Sequence, residues 1–264
     1  MSRANSEAAI NFVEKEGNAV ERARLAFMRD GQSPAPGIIS QLAEGQRDDG
    51  GWAPFWAGDY SSLDATCFRL AQAAQLGLDA TTPCVAAAAQ FLAARQRVDG
   101  WWEEASAVAA AAPPWAMPGD EAARLYLTAN CGYWLVVLNG PSEATRKAVN
   151  RLAEQVNDTG AMPTFLHAHW LAAGLWHLTG HASQTGKTLA YLNTHLAQLS
   201  ANNLTWLIVA LRTAGISANQ PLLVGALALL RHLQQGDGRW LSDDAMERDV
   251  HVTLEALRAI QLCA

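Results

Sequence analysis

Asp64, His167 and His251 are the residues of this chain whose types and spacing best suit chemistry. Each stands at the start of an apolar segment of helical pattern. Counting back from the glycines that end such segments, Gly77, Gly140, Gly180 and Gly215, brings Asp64, Leu127, His167 and Asn202 to one register. Matching Thr253 to Thr66 adds His251, and His169 falls beside the equivalent of Thr66. A carboxyl group in an apolar, water-poor place keeps its proton and can serve as a general acid. An imidazole nearby can serve as a general base. The same carboxylate and two histidines are also a donor set for Zn²⁺ or Fe²⁺. An aspartate at a helix start has a plainer use as a cap, favoured by the helix dipole in its charged form. On sequence alone the three readings stay open.

Aromatic residues form a second constellation. Trp56, Trp101, Trp115 and Phe165 fall on or near the connections that lead into these segments, while Trp134, Trp170, Trp176 and Trp206 lie within them. Their faces stabilise cations and equally well fill a wide core. Trp56, Trp101, Trp115, Trp134, Phe165, Trp170 and Trp206, with His169 and Asn202, are the expected substrate contacts. Residues 103–119, with Pro113, Pro114 and Pro118, form the long irregular connection, placed to cover a cavity. Asp243-Asp244-Ala245-Met246-Glu247 has the letters of an Asp-Asp-x-x-Glu magnesium motif, but it precedes its helix, where acids suit the helix dipole. His-Glu-x-x-His, a phosphate loop, a dinucleotide fingerprint and a Ser-His-Asp elbow are all missing from the sequence. No cofactor is therefore expected, with zinc at Asp64, His167 and His251, or magnesium, left as the alternatives.

The elements that must position these residues are helices. The chain has 264 residues, half of them hydrophobic and 17% charged, with 51 alanines and no sustained alternation of polar and apolar residues. Alanine is the strongest helix former, so an all-α protein with a sizeable core is expected. A net charge of −6 without a basic stripe argues against a nucleic-acid partner. The longest apolar run, 221–230, is far short of the roughly 20 residues a spanning helix needs. The start of the chain shows no signal-peptide pattern, and the four cysteines show no Cys-x-x-Cys spacing, so a cytoplasmic setting is expected. Apolar small molecules are the expected partners; a homo-oligomer or a partner subunit stays open.

Three segments share the template Gln-x-x-Asp-Gly-x-Trp: Gln46 to Trp52, Gln96 to Trp102 and Gln234 to Trp240. Each follows an apolar helical stretch, which the Asp-Gly pair terminates. An eroded fourth copy runs from Gln155 to Gly160, with Met162 where tryptophan would stand. Between the turns lie helices that are apolar nearly all round, as helices covered on both sides are. They alternate with helices that keep a polar face, such as 142–156. The segment from Glu7 to Met28, interrupted at Gly17-Asn18, is expected to supply a sixth inner helix.

This order of helix, Gln-x-x-Asp-Gly-x-Trp turn and inner helix resembles the QW repeat of the superfamily of squalene-hopene cyclases, oxidosqualene cyclases and protein prenyltransferase β-subunits. The resemblance implies an α/α toroid of six inner and about six outer helices, here one domain over residues 1–264. It covers nearly the whole chain, best at 38–77, 85–102 and 222–262. Class II terpene cyclases carry an Asp-x-Asp-Asp-Thr-Ala motif where this chain has Ser62-Leu63-Asp64-Ala65-Thr66-Cys67. The middle aspartate, which protonates the polyene in that family, falls on Asp64, while Ser62 and Ala65 replace its neighbours. The resemblance thus implies acid-initiated cyclisation of an isoprenoid. Prenyltransferase β-subunits hold zinc with Asp, Cys and His, of which Asp249-Val250-His251 is a partial echo lacking the cysteine. A metal-dependent prenyltransferase-like enzyme and a non-catalytic barrel for an apolar ligand or partner are the alternatives.

Overall fold

The computed structural model describes residues 5–264, and among them every regular element is helical. The α-helices run α1 (Ser6–Glu16), α2 (Ala19–Asp30), α3 (Pro36–Ala43), α4 (Leu63–Gln75), α5 (Pro83–Ala94), α6 (Glu121–Asn139), α7 (Glu143–Ala153), α8 (Leu166–Leu178), α9 (Ala182–His195), α10 (Ala201–Thr213), α11 (Pro221–His232) and α12 (Asp249–Leu262). Side-chain caps satisfy amides that the first helical turn leaves without partners. Ser62 caps α4 by accepting from Ala65 N, Asp120 caps α6, and Ser200 caps α10. Because Ser62 does this work at α4, the Asp64 carboxylate is left for other partners.

Residues Leu42–Tyr191 form one compact unit. Within it α4, α6 and α8 pack against one another in chain order, α5 lies against α4 and α6, and α7 lies against α6 and α8. Leu125–Val136 of α6 and Ala168–Trp176 of α8 are buried without a break. This double covering explains why neither helix has a polar face. The described residues up to Gln41 and those from Leu192 onward form the other unit. There α12 packs against α10, α1 and α2, with α11 against α10 and α12.

The segment 7–28 is not one inner helix. Gly17 ends α1 in an extended conformation, and Asn18 and Glu21 form a capping box that starts α2 afresh. α2 lies along α12 as an inner helix would. α1 takes the outer role, as the bonding of the repeat turns makes plain.

In each turn one glutamine amide joins the turn to the outer helix that follows. Gln46 Nε2 donates to Gly50 O (2.9 Å) and to Cys84 O (2.8 Å) at the start of α5. Gln96 donates likewise to Gly100 O and to Ala144 O of α7, and Gln234 to Gly238 O and to Asn5 O just ahead of α1. The tryptophan amide ties the turn to the next inner helix through a threonine hydroxyl: Trp52 to Thr66 (3.1 Å), Trp102 to Thr128 (3.0 Å) and Trp240 to Thr253 (3.0 Å). The indoles of Trp102 and Trp240 donate to Leu92 O and Leu230 O, both at 2.7 Å. These three tryptophans are structural punctuation. Glycine is required because φ is +90° at Gly50 and +94° at Gly238, and a Cβ would lie 2.3 Å from Ala87 O and 2.4 Å from Ala8 C.

The eroded copy keeps this geometry with different residues. Gly160 N donates to Asn157 O and Asn157 N to Ala161 O, as Gly50 does to Arg47 and Arg47 to Gly51. That pairing puts Val156, one residue beyond Gln155, in the glutamine position. Thr188 of α9 reaches back to Gly160 O (3.3 Å) in the missing amide's place. Met162 N donates to His169 Nε2 (2.9 Å), so His169 performs the threonine's task.

Candidate active site

The clamp bonds set the register of the inner helices more securely than their terminal glycines do. Thr66, Thr128, His169 and Thr253 are equivalent, so the residue two before each is too: Asp64, Tyr126, His167 and His251. Counting from glycine puts Leu127 in this row, and that is corrected here. In α4 and α8 the glycine stands two residues past the last helical one, whereas Gly140 follows Asn139 directly and shifts the count by one. Leu127 is a fully buried core residue.

Three residues of this row meet in the Leu42–Tyr191 unit. Tyr126 Oη donates to Asp64 Oδ1 at 2.6 Å and accepts from Asn130 Nδ2 at 3.1 Å. Trp115 Nε1 donates to Asp64 Oδ2 at 3.1 Å. Trp115 comes from the 3₁₀ turn Pro114–Ala116, so the irregular connection 103–119 does reach the start of α4. Asp64 is half-buried and forms no ion pair among the described residues. Burial pushes its carboxyl above the usual range, while the bonds from Tyr126 and Trp115 pull it back in part.

His167 lies against the far side of Tyr126, ring centroids 4.6 Å apart and edge to face. Phe165 stacks on it in parallel at 5.4 Å, and Trp170 is tilted at 6.0 Å. Burial, with His169 adding to it, holds the imidazole down to about 4, so it is neutral at pH 7. The hydrogen-bond donors to Asp64 are thus Tyr126 and Trp115, and Tyr126 links Asp64 to His167.

A second carboxylate, which sequence reasoning missed, sits on the start of α4. Glu104 is 3% exposed and accepts from Ser62 Oγ (2.6 Å), Leu63 N (2.9 Å) and Tyr60 Oη (2.9 Å), with Asp64 N at 3.4 Å. Tyr60 Oη in turn accepts from Arg95 Nη2 at 2.7 Å. One turn further along, Cys67 and Cys131 face each other with sulfurs 3.9 Å apart, both buried thiols pushed up by desolvation. No motif spacing signals Glu104. Tyr126 was within reach of the sequence, had Thr128 been aligned with Thr66 and Thr253.

The remaining candidates are placed variously. Trp134 is buried against Tyr133, and Trp170 is fully buried. Trp56 is half-buried, 6.3 Å from the Tyr60 ring. Trp101 lies under the guanidinium groups of Arg124 and Arg151. His169 uses both ring nitrogens structurally, on Met162 N and Phe165 O, and stacks on Tyr191.

In the other unit His251 Nδ1 lies 3.3 Å from Arg24 Nη1, and Arg24 forms a buried ion pair with Glu255 at 3.0 Å. Burial and the Arg24 charge hold His251 down to about 4. Trp206 and Asn202 are half-buried there, and Asn202 Oδ1 is buried without a hydrogen-bond partner among the described residues. Asp249 accepts from Ser242 N and pairs with Arg239, so it braces its own turn. Asp243, Asp244 and Glu247 are exposed ahead of α12. Among the described residues no group of three His, Cys, Asp or Glu side chains is placed to hold a metal ion. No helix among them is long and apolar enough to cross a membrane.

No protein-family model matches the chain, and no curated protein matches it significantly in sequence. Solved structures do. A crystal structure of a protein from Actinoplanes is 16% identical, with a TM-score of 0.61 over 98% of each chain. A variant of the type II terpene cyclase MstE from Scytonema, in complex with its substrate geranylgeranyl dihydroxybenzoate, is 14% identical, with a TM-score of 0.61 over 98% of this chain and 96% of that one. MstE without ligand gives 13% and 0.58 over 97% and 96%. At such identities the likeness shows the fold, and the fold is the all-helical α/α architecture of the type II terpene cyclases.

Proposed function

We propose that the protein, as one domain over residues 1–264, is a terpene cyclase-like enzyme that starts a carbocation cyclisation of an apolar isoprenoid by proton transfer from Asp64. The observation that carries this reading is the pair of partners on Asp64. Tyr126 and Trp115 each hold one carboxylate oxygen as donors, and among the described residues no cation is paired with it. A carboxyl group has about four lone-pair positions. Two are taken by these donors, so a proton on either remaining position is not committed to a protein acceptor. Burial favours the protonated form.

The reaction runs as follows. Asp64 gives its proton to a terminal alkene of the folded substrate, forming a C–H bond and a tertiary cation; neighbouring alkenes attack in turn, and a base removes a proton to leave a new alkene. His167 is assigned as that base, being neutral and packed edge to face against Tyr126. Phe165, packed on His167, and Trp115, on Asp64, are assigned to the wall that stabilises the cation, with the fully buried Trp170 backing His167. His251, Trp56, Trp101, Trp134, Trp206, His169 and Asn202 receive no step.

The test uses geranylgeranyl dihydroxybenzoate, the substrate bound to MstE, together with a panel of linear polyprenyl compounds. Cyclised product carrying one solvent-derived deuteron in D₂O is expected from the wild type, and a loss of at least about 100-fold from Asp64→Asn. An Asp64→Asn variant that cyclises as fast as the wild type, or a wild type inert toward the whole panel, would overturn the reading.

A further inference from the structure

Asp64 is the second residue of α4, where the helix dipole favours a charged carboxylate, the form useless to a proton donor. The structure supplies a counterweight. Glu104 occupies this same helix end with more donors than Asp64 has: Ser62 Oγ, Leu63 N and Tyr60 Oη all donate to it, and Asp64 N approaches at 3.4 Å; burial and the Asp64 charge push its carboxyl up, and these donors pull it back in part. Arg95 lies behind Tyr60, its guanidinium donating to the phenol oxygen and stacked 5.5 Å from the ring. Among the described residues Asp64 has two side-chain donors, Tyr126 and Trp115, and no paired cation.

Where two carboxyl groups share a site, the one given more donors ionises first and its charge keeps the proton on the other. We propose that Glu104 is a positioning residue for the acid: seated as a carboxylate on the amide end of α4, it takes up the helix dipole and holds the proton on Asp64. This rests on the reading of Asp64 as the proton donor. The other titratable groups around the pair add no opposing charge. Tyr126 is held protonated, Tyr60 is pushed up to about 12, the Cys67 and Cys131 thiols are pushed up, and His167 is neutral. The Arg95 charge reaches the pair through Tyr60 and so bears on Glu104.

Infrared difference spectroscopy of the whole protein reads this directly. At pH 7 the wild type minus Asp64→Asn spectrum is expected to show the carbonyl band of a protonated carboxyl group, sensitive to D₂O. In Glu104→Gln the band is expected to be lost at pH 7 and to return only on acidification. Tyr60→Phe removes one donor from Glu104 and cuts its link to Arg95 while sparing the helix contacts, so it tests the same point if Glu104→Gln fails to fold. Its band is expected to titrate at lower pH than in the wild type. A band unchanged in pH response in the folded variants overturns the proposal. So does a band that survives Asp64→Asn and vanishes in Glu104→Gln, which would put the proton on Glu104. A protein that shows the expected bands but cyclises no polyprenyl substrate keeps this inference and loses the cyclase reading. An active cyclase whose Asp64 band ignores Glu104 and Tyr60 does the reverse.

Discussion

The neutrality of His167 has a cost in stability that can be measured without knowing the substrate. An unfolded histidine titrates near 6.5, while His167 in the fold is held down to about 4 by burial, with His169 adding to it. The unfolded chain therefore binds the proton more tightly. The stability associated with His167 is complete above the unfolded pKa, falls as pH drops through 6.5, and is fully lost below about 4. At about 1.4 kcal/mol per unit, the loss reaches about 2 kcal/mol at pH 5 and about 3 kcal/mol at pH 4. His167→Phe keeps a ring stacked on Phe165 and edge-on to Tyr126 but does not titrate. The difference in unfolding free energy between wild type and variant is set at pH 7 by packing alone. At pH 5 it is expected to shift by about 2 kcal/mol in favour of the variant. His251, also held to about 4, is present in both proteins and cancels. Urea unfolding followed by tryptophan fluorescence and far-ultraviolet circular dichroism, at pH 7 and pH 5, gives the comparison. A difference constant to within about 0.5 kcal/mol, the ordinary size of a neutral surface change, would refute the claim that burial holds His167 neutral. Its assignment as a neutral base would fall with it.

Two further outcomes test the repeat. Thr128→Val removes the acceptor of the buried Trp102 amide and is expected to cost about 1–3 kcal/mol in urea unfolding, whereas Thr128→Ser, which keeps the hydroxyl, is expected to cost clearly less. Gly160→Ala places a Cβ 2.2 Å from Lys187 O at a φ of +88°, so its loss on thermal unfolding is expected to exceed the roughly 1–2 kcal/mol of left-handed strain alone. A Gly160→Ala variant as stable as the wild type would show that the eroded turn is not the close approach described here.

The helical class, the Gln-x-x-Asp-Gly-x-Trp turns and the place of Asp64 at the start of a helix were legible in the sequence because they rest on local rules. Asp-Gly ends a helix, alanine and leucine continue one, and a glycine with positive φ against a neighbouring backbone has no substitute. Even the eroded turn was legible through Gly160, although its glutamine position falls on Val156 and its threonine on His169. Tyr126 was missed by one residue, because Gly140 ends α6 one position earlier than its counterparts end α4 and α8.

Glu104 lay beyond any such rule. It follows Trp102 by two residues in an irregular connection, with no periodicity to mark it. Its partners Tyr60, Ser62 and Leu63 are about 40 residues away in the chain. Trp115 reaches Asp64 across a gap of 51 residues, and Tyr126 across 62. Sequence by itself determined that an aspartate begins an inner helix. Whether that aspartate is a cap, a charged ligand or an acid depends on the donors, charge and burial around it. Those come from three other parts of the chain, and only packing brings them together.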